Sequence, residues 1–562
     1  MRISPPGWLS FLLLWAAIFP AVAHESGVSP SSTCGQHTAT VTSAAAPTFP
    51  SVTFDEVINR VVEREHLFLA QMRNLRPVVE TYLQNLRSDA KGRVSPLNDQ
   101  YFLGRLNMSD NIEGASFVEQ TGSRINRFSK LNRLFSPHFL ALGFAQMVMP
   151  DSEFYKQYYN FTLVRHEFLG QVRCLVIDVQ PRPEARGGRF KGLIWAEDRD
   201  FNIVRFSGTY VSPLPNKFYL HFDSWRLNLK PGLWLPAYIY SEESDLKTNF
   251  AHIHFKAQTR LWGYDLRRMP TGRTEQFGQI LVDSQPAVKD DSGTVVDATT
   301  AVDERMRERE TEDSVVERLQ NVGLLARASD VDKVLQTVTN NLFLANNIDL
   351  KADVHFRVLL TSPLESFTIG HTIVVSRGLL DVLPDEASLG MVLAHELGHI
   401  ILRHHFHLKL AFGDQMFFAD EQSFRRLDFK HRFVDEEAAD AKALELLENS
   451  PYKKRLGTAG IFLEALQRRG PDLPNLIRPH RDNSFAAGQS IRMSPLLTAA
   501  PQLDEHHIDQ IAALPLGGRI KLDPWSDQVQ LVKAEPVTSA LAREKMTFEI
   551  TRFFPYLTRL QE

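Results

Sequence analysis

Cysteine is almost missing. The 562 residues contain only Cys34 and Cys174, with no CxxC spacing, which excludes a cysteine-ligated metal cluster and leaves room for one disulfide at most. An oxidising compartment would allow that bridge, yet Cys174 alternates with Val172 and Val176 on the inner face of an expected strand, where a free thiol packs well. An excess of charge of one sign is missing too: 63 basic against 67 acidic side chains leave a net charge of -4. No basic field is present to draw nucleic acid or an anionic membrane, and nucleic acid is excluded as a partner. Beyond the N-terminus no apolar run reaches the roughly 20 residues that a spanning helix needs. No repeat of fixed period is visible, so helical repeats are not expected.

What is present is a chain too long for one hydrophobic core, at about 150 residues per domain. It opens on "MRISPPGWLSFLLLWAAIFPAVAHE", with Arg2, an apolar stretch from Trp8 to Phe19 and a small-residue site at Ala21-Val22-Ala23. This pattern predicts a signal peptide over 1–23 and a soluble exported protein, with the periplasm as the expected compartment and no transmembrane span once the signal is removed. Cys34 follows Ser-Ser-Thr, outside a lipidation context. Residues 24–51 are Ser/Thr/Ala/Pro-rich and are expected to be disordered. The domain expected over 52–265 starts with helical periodicity in "FDEVINRVVEREHLFLAQMRNL" and, from Tyr101, turns to short alternating runs. These read as consecutive antiparallel strands with turns at Glu197 to Asp200 and at Pro231-Gly232. A charged linker over 266–312 follows. Helices are then expected around Ser314 to Leu325 and Val331 to Ala345, in a domain spanning 313–485, with an extension over 486–562.

Chemistry concentrates in "AHELGHIILRHH", residues 394–405. On a helix, His395 and His399 differ by only about 40° and about 6 Å, so both can hold one metal ion, with Glu396 beside them. Their flanks, from Met391 to Leu402, are apolar nearly all round, which marks a buried helix. Two buried imidazoles and a carboxylate without partners would cost several kcal/mol; a zinc ion bound by the histidines and approached by the acid removes that cost. The bland alternative is a hydrogen-bonded core cluster. His404, His405 and His407 read as the wet end of the helix. His405 occupies the third-ligand position of HExxHxxGxxH, but Leu402 stands where that pattern breaks the helix with Gly. A helix that runs on would turn His405 about 240° away from His399.

The third ligand is sought in "VDEEAADAKALELLEN", residues 434–449. With Glu436 at 0° on a helical wheel, the apolar residues fall between about 280° and 80°, and Glu437, Lys442, Glu445 and Glu448 between about 100° and 240°. Glu436 and Asp440 lie inside the apolar stripe and need a partner there. Glu436 is the expected ligand of one zinc per chain, Asp440 the acceptor for a histidine N–H, and Glu437 faces solvent. An acidic first turn favoured by the helix dipole would account for Asp435 and Glu437, but not for Asp440.

HELGH within "LPDEASLGMVLAHELGHIILRHH", preceded by "TIVVSRGLLDVL" and followed by "EEAAD", resembles the HtpX-like and CaaX-prenyl-protease family of gluzincin metalloendopeptidases over about residues 314–470. The resemblance implies an α/β zincin fold, zinc as cofactor, Glu396 as general base and a polypeptide substrate. It also implies a strand from Phe367 to Ser376 whose residues Phe367, Thr368, Ile369, Gly370 and His371 would hold the substrate as an added β-strand. The chain departs from the family at Glu365-Ser366-Phe367, in place of Asn-Ala-Phe, and at Ile369-Gly370-His371, in place of Pro-Gly-Gly. For the late oxyanion element it offers only His480 and Arg481 in "RPHRD". Between about Tyr101 and Leu261 the chain is similar to the open sheet of LolA-like outer-membrane lipoprotein carriers, mainly through "RFKGLIWAEDRDFNIVRFSGTY". That implies a lipid or lipoprotein partner at the N-terminal sheet. The expected fold class is α+β in two domains, an N-terminal antiparallel β meander with a helix and a C-terminal, mainly helical, zincin-like metalloprotease domain. The expected function is zinc-dependent hydrolysis of peptide bonds in exported or cell-envelope proteins, as in envelope protein quality control. The alternative is a lipid or lipoprotein carrier, or chaperone, with a silent protease domain.

Overall fold

The computed structural model describes residues 53–88, 94–108, 113–116, 144, 146–184, 189–211, 221–243, 254–266, 313–350, 353–404, 431–477, 486–487, 490–491, 493, 495–496, 520–523, 528–531, 548, 550 and 552–560. The expected signal peptide, the segment 24–51, nearly all of the linker, Cys34, His405, His407, His480 and Arg481 lie outside the described residues.

Helix α1 (Phe54–Leu75) begins where the Thr53 hydroxyl accepts from the Glu56 amide, with Asp55 and Glu56 in the first turn, and stops at Arg76 in the left-handed region. Ten antiparallel strands follow: β1 (Val78–Ser88), β2 (Val94–Asn107), β3 (Glu113–Ser116), β4 (Tyr159–Leu169), β5 (Val172–Pro181), β6 (Phe190–Glu197), β7 (Ile203–Tyr210), β8 (Phe222–Lys230), β9 (Leu233–Glu243) and β10 (His254–Trp262). They form one sheet in the order β3-β2-β1-β10-β9-β8-β7-β6-β5-β4, so the last strand closes against the first. The expected turns join β6 to β7 and β8 to β9.

Strands start at Val78, ahead of the expected change at Tyr101. The reason is burial on both faces. Val79, Leu83 and Leu261 pack with Val57, Val61 and Phe68 of α1. Val78, Tyr82 and Trp262 point the other way and share a core with Leu364, Leu476 and Leu557. A strand buried on both sides loses its period-2 alternation of apolar and polar residues. In β1 the polar residues Glu80, Thr81 and Gln84 are buried too. Glu80 accepts from the Ser362 amide (2.6 Å) and hydroxyl (2.8 Å) and from the Tyr101 hydroxyl (2.9 Å), while Gln84 binds the carbonyl of Phe548 and the amide of Ile550. Burial raises the pKa of Glu80 against the lowering pull of Arg377.

Beyond the sheet come α2 (313–321), α3 (Asp330–Asn346), β11 (His355–Leu359), β12 (Ser366–Ile369), β13 (Thr372–Ser376), α4 (Arg377–Val382), α5 (Glu386–Leu402), α6 (Phe433–Glu448) and α7 (Leu456–Arg469). Helix α2 ends short of Leu325, because Gly323 adopts φ +82° and Leu325 bridges to Leu359. Strands β11, β13 and β12 form a small sheet in that order, with β12 at its edge. The expected strand Phe367 to Ser376 is a hairpin instead: Ile369 pairs with Thr372 across a two-residue turn in which Gly370 takes φ +58°. Gly370 and His371 therefore lie in that turn and not in a strand.

Polar contacts fasten the ten-stranded sheet to this helical region within the unit Thr53–Glu562. Asp99 of β2 accepts from the amides of Asn475 and Leu476, the Trp262 indole donates to the Gly323 carbonyl, and Arg105 reaches the Val322 carbonyl. Residues 552–560 lie without helix or strand across the sheet. There Arg552 pairs with Asp223, Arg559 with Glu197 and Asp198, and the Leu557 carbonyl accepts from Gln171.

Cys174 is a free, fully buried thiol on β5, and burial, helped by Glu197 and Asp198, pushes its pKa up to about 12. Since the thiolate is the reactive form, a Cys34→Ser variant should take up no thiol reagent at pH 8 while folded and one equivalent per chain in denaturant. Labelling of the native variant at the rate of a free peptide thiol would contradict this burial.

Candidate metal centre

Helix α5 is built to carry polar groups through an apolar core. The Asp385 carboxylate caps it by accepting from the Ser388 amide (2.9 Å), and every residue from Ala387 to Ile400 is buried. Gly398 brings the next helix close: a Cβ at this position would stand 2.8 Å from the Ala439 carbonyl oxygen and 3.0 Å from the Ala439 Cα. Only glycine lets α6 pack at that distance, and Ala439 follows Glu436 by one turn.

The crossing brings three ligating atoms together. His395 Nε2 lies 3.1 Å from His399 Nε2, and Glu436 Oε2 lies 3.3 Å from the first and 3.7 Å from the second. Zinc–nitrogen bonds of about 2.0–2.1 Å at tetrahedral angles set neighbouring ligand atoms about 3.3 Å apart. His395, His399 and Glu436 therefore fit one such ion, and among the described residues they form the one cluster of three that does. Asp440 Oδ1 stands 2.9 Å from His395 Nδ1, the nitrogen on the far side of the ring. Glu437, one residue from Glu436, is exposed.

Burial lowers the pKa of His399 to about 4, against the raising effect of Glu436, so its ring is neutral at pH 7, as metal ligation requires. His431, stacked on His399 with ring centroids 4.0 Å apart, is held down to about 4 by burial as well.

The helix does not run on past Leu402. Arg403 takes φ 57°, its amide donates to the Ile400 carbonyl, and the His404 amide donates to that of His399, the bonding pattern of a Schellman C-cap. This turn folds His404 back, and its Nδ1 comes 3.0 Å from Nδ1 of His399. His404 is thus not at a wet helix end but half-buried behind the second imidazole. Composition offered no signal for it, since the left-handed position carries Arg where such caps favour Gly.

Glu396 points toward the small sheet. Its Oε1 accepts from the Ser366 hydroxyl and its Oε2 from that of Thr368, each at 2.7 Å. Of the expected substrate strand, Phe367, Thr368 and Ile369 are in β12 against α5, and Gly370 and His371 close the turn beside them.

Residues 329–419 match the family model of Peptidase family M48, a family of metallopeptidases and the one that the HELGH and EEAAD motifs resemble. No curated protein matches the chain. Among solved structures, a LolA superfamily protein from Nitrosomonas europaea is similar at 12% identity, covering 39% of this chain and 96% of its own, with a TM-score of 0.21. A DUF1329 family protein from Desulfovibrio piger is similar at 9% identity, covering 39% and 94%, with a TM-score of 0.18. No helix among the described residues is long and apolar enough to cross a membrane.

Were His399 to hold a metal through Nε2, its Nδ1–H would have His404 Nδ1 as acceptor at 3.0 Å. His404→Ala should therefore weaken zinc binding about 10- to 100-fold while the ligands stay in place. The measurement is zinc retained across a graded chelator series. An affinity equal to that of the unaltered chain would remove His404 from the centre.

Proposed function

We propose that the chain is a zinc-dependent metalloendopeptidase that hydrolyses peptide bonds in exported or cell-envelope proteins. The observation that carries this reading is the convergence of His395 Nε2, His399 Nε2 and Glu436 Oε2 beside the buried carboxylate of Glu396. The match of residues 329–419 to a metallopeptidase family supports it, and the signal-like N-terminal sequence supports export to the periplasm.

His395, His399 and Glu436 would hold the ion, with Asp440 and His404 fixing the two imidazoles from behind. Bound by these residues, zinc would supply Lewis acidity toward a carbonyl and a water. Glu396 then acts as the general base: its carboxylate takes a proton from the attacking water and delivers it to the leaving amine. On the resemblance, the substrate backbone would lie along β12, which carries Phe367, Thr368 and Ile369 and is the outer strand of the small sheet among the described residues. His480 is kept as the proposed oxyanion donor on the resemblance alone.

Glu396→Gln should keep its zinc and lose peptide cleavage by a factor of about 100 or more, since general acid–base catalysis contributes that much. Retained cleavage would overturn the assignment of the base. A chain that binds zinc yet leaves unfolded protein and casein-like substrates uncut would favour the carrier or chaperone reading, and residues 52–265 would then be tested for acyl-chain or lipoprotein binding. The ligand register has its own check. Glu436→Gln should lose zinc and activity, and Asp440→Asn should lose about 10- to 100-fold in either. Glu437→Gln, an exposed substitution, should alter stability by less than about 0.5 kcal/mol and leave both untouched. Zinc loss in Glu437→Gln with zinc retained in Glu436→Gln would shift the register by one residue.

A further inference from the structure

We infer that Ser366 and Thr368 are positioning residues for Glu396, so that the strand expected to carry the substrate also sets the orientation of the base; this rests on the peptidase reading above. Residues two apart on a strand face the same side, and in β12 that side meets α5 one turn from His399. The Ser366 hydroxyl donates to Oε1 and the Thr368 hydroxyl to Oε2, both at 2.7 Å. Thr368 Oγ1 also lies 3.3 Å from the Glu396 carbonyl, the longer of its two approaches to that residue. All three side chains are buried, with Glu396 only 1% exposed.

Two features make this more than polar satisfaction. The last torsion of a glutamate is broad and nearly two-fold, so a carboxylate with one donor can still rock about its axis. One hydroxyl on each oxygen fixes the plane and leaves a further lone pair on each oxygen to take up a proton. The donors are also neutral, and hydrogen bonds from hydroxyls to a carboxylate are short and strong without a counter-charge. The sequence carries the device at the two positions flanking Phe367, and Ser366 stands where the resemblance to the family would place alanine. A substrate paired along β12 would then be in register with the base through a single rigid element, with no loop between them.

The test uses Ser366→Ala, Thr368→Val, the double variant, and the hydroxyl-retaining Ser366→Thr and Thr368→Ser, all in the full chain. With a fluorogenic peptide, each single loss should lower kcat about tenfold, and the double loss more, with KM changed by less than about twofold and zinc content equal to the unaltered chain. The hydroxyl-retaining variants should recover most of kcat, which a merely structural role would not require. An unchanged kcat in the double variant of a chain that cuts overturns the inference. A second readout needs no activity: denaturant midpoints of metal-free protein, measured for Ser366→Ala and Thr368→Val with and without Glu396→Ala. Coupling predicts shifts that shrink when the carboxylate is gone. Additive shifts overturn the inference even where the chain proves to be a peptidase, whereas non-additive shifts in a chain that cuts nothing would remove the peptidase reading and leave the hydroxyl–carboxylate coupling standing.

Discussion

A carboxylate and two imidazoles placed inside an apolar helix, none more than 1% exposed, need hydrogen-bonding partners within the protein. Much of the surrounding structure meets that requirement. From Ala387 to Ile400 nothing in α5 is exposed, so each polar atom draws in a neighbouring element. Glu436 and Asp440 come from α6, admitted by Gly398; His404 comes from the capped end of α5 itself; Ser366 and Thr368 come from β12. Helix α6, strand β12 and the capped end of α5 are thereby tied to one another through a single helix. A site of this kind is rigid because its alternatives are unsatisfied buried groups, each of which costs about 1–3 kcal/mol or more.

The parts of this arrangement that were readable in the sequence are those that repeat with helical period or break a pattern. The spacing of His395 and His399 puts them on one face of a helix whatever surrounds it. Glu436 and Asp440 stand out because acids are unexpected within the apolar stripe of α6, and both are buried while Glu437 is exposed. The alternation in "RFKGLIWAEDRDFNIVRF" marks β6 and β7 for the same reason. What was not readable depends on partners far along the chain. The placement of His404 follows from a left-handed Arg403, and arginine announces no such turn. β1 carries Glu80 and Gln84 as buried residues whose partners, Ser362, Phe548 and Ile550, are hundreds of residues away, so its composition resembles a surface segment. The hairpin at Gly370 was hidden in a run of apolar and small residues that reads equally as one long strand.

The ten-stranded sheet enters the argument through these same long-range contacts. Its two faces are not equivalent. One is closed by α1 and contains a fully buried ion pair, Arg226 with Glu65, in which both guanidinium nitrogens reach carboxylate oxygens at 2.7 Å and the Phe68 ring lies 3.7 Å from the guanidinium carbon. A buried pair of this kind contributes little net stability but is costly to break, so it fixes α1 in one register on the sheet. The other face belongs to a core shared with the helical region and is crossed by residues 552–560, where Arg552 and Arg205 both engage Asp223.

That shared core bears directly on the geometry at Glu396. The loop leading into β12 is held at Ser362, whose amide and hydroxyl both donate to Glu80 of β1, and at Leu364, whose amide donates to the Leu476 carbonyl; Leu476 is in turn held by Asp99 of β2. Ser366 begins two residues after that second anchor. The orientation of β12 against α5 is therefore set from both sides, by hydroxyls reaching inward to Glu396 and by carboxylates of the large sheet reaching across to the loop before it. Strands β1 and β2 touch Ser362 and Leu476 directly, through Glu80 and Asp99. The N-terminal sheet thus stands in a structural relation to α5 that a separately tethered domain would lack: through Ser362 and Leu476 it is part of the frame around Glu396.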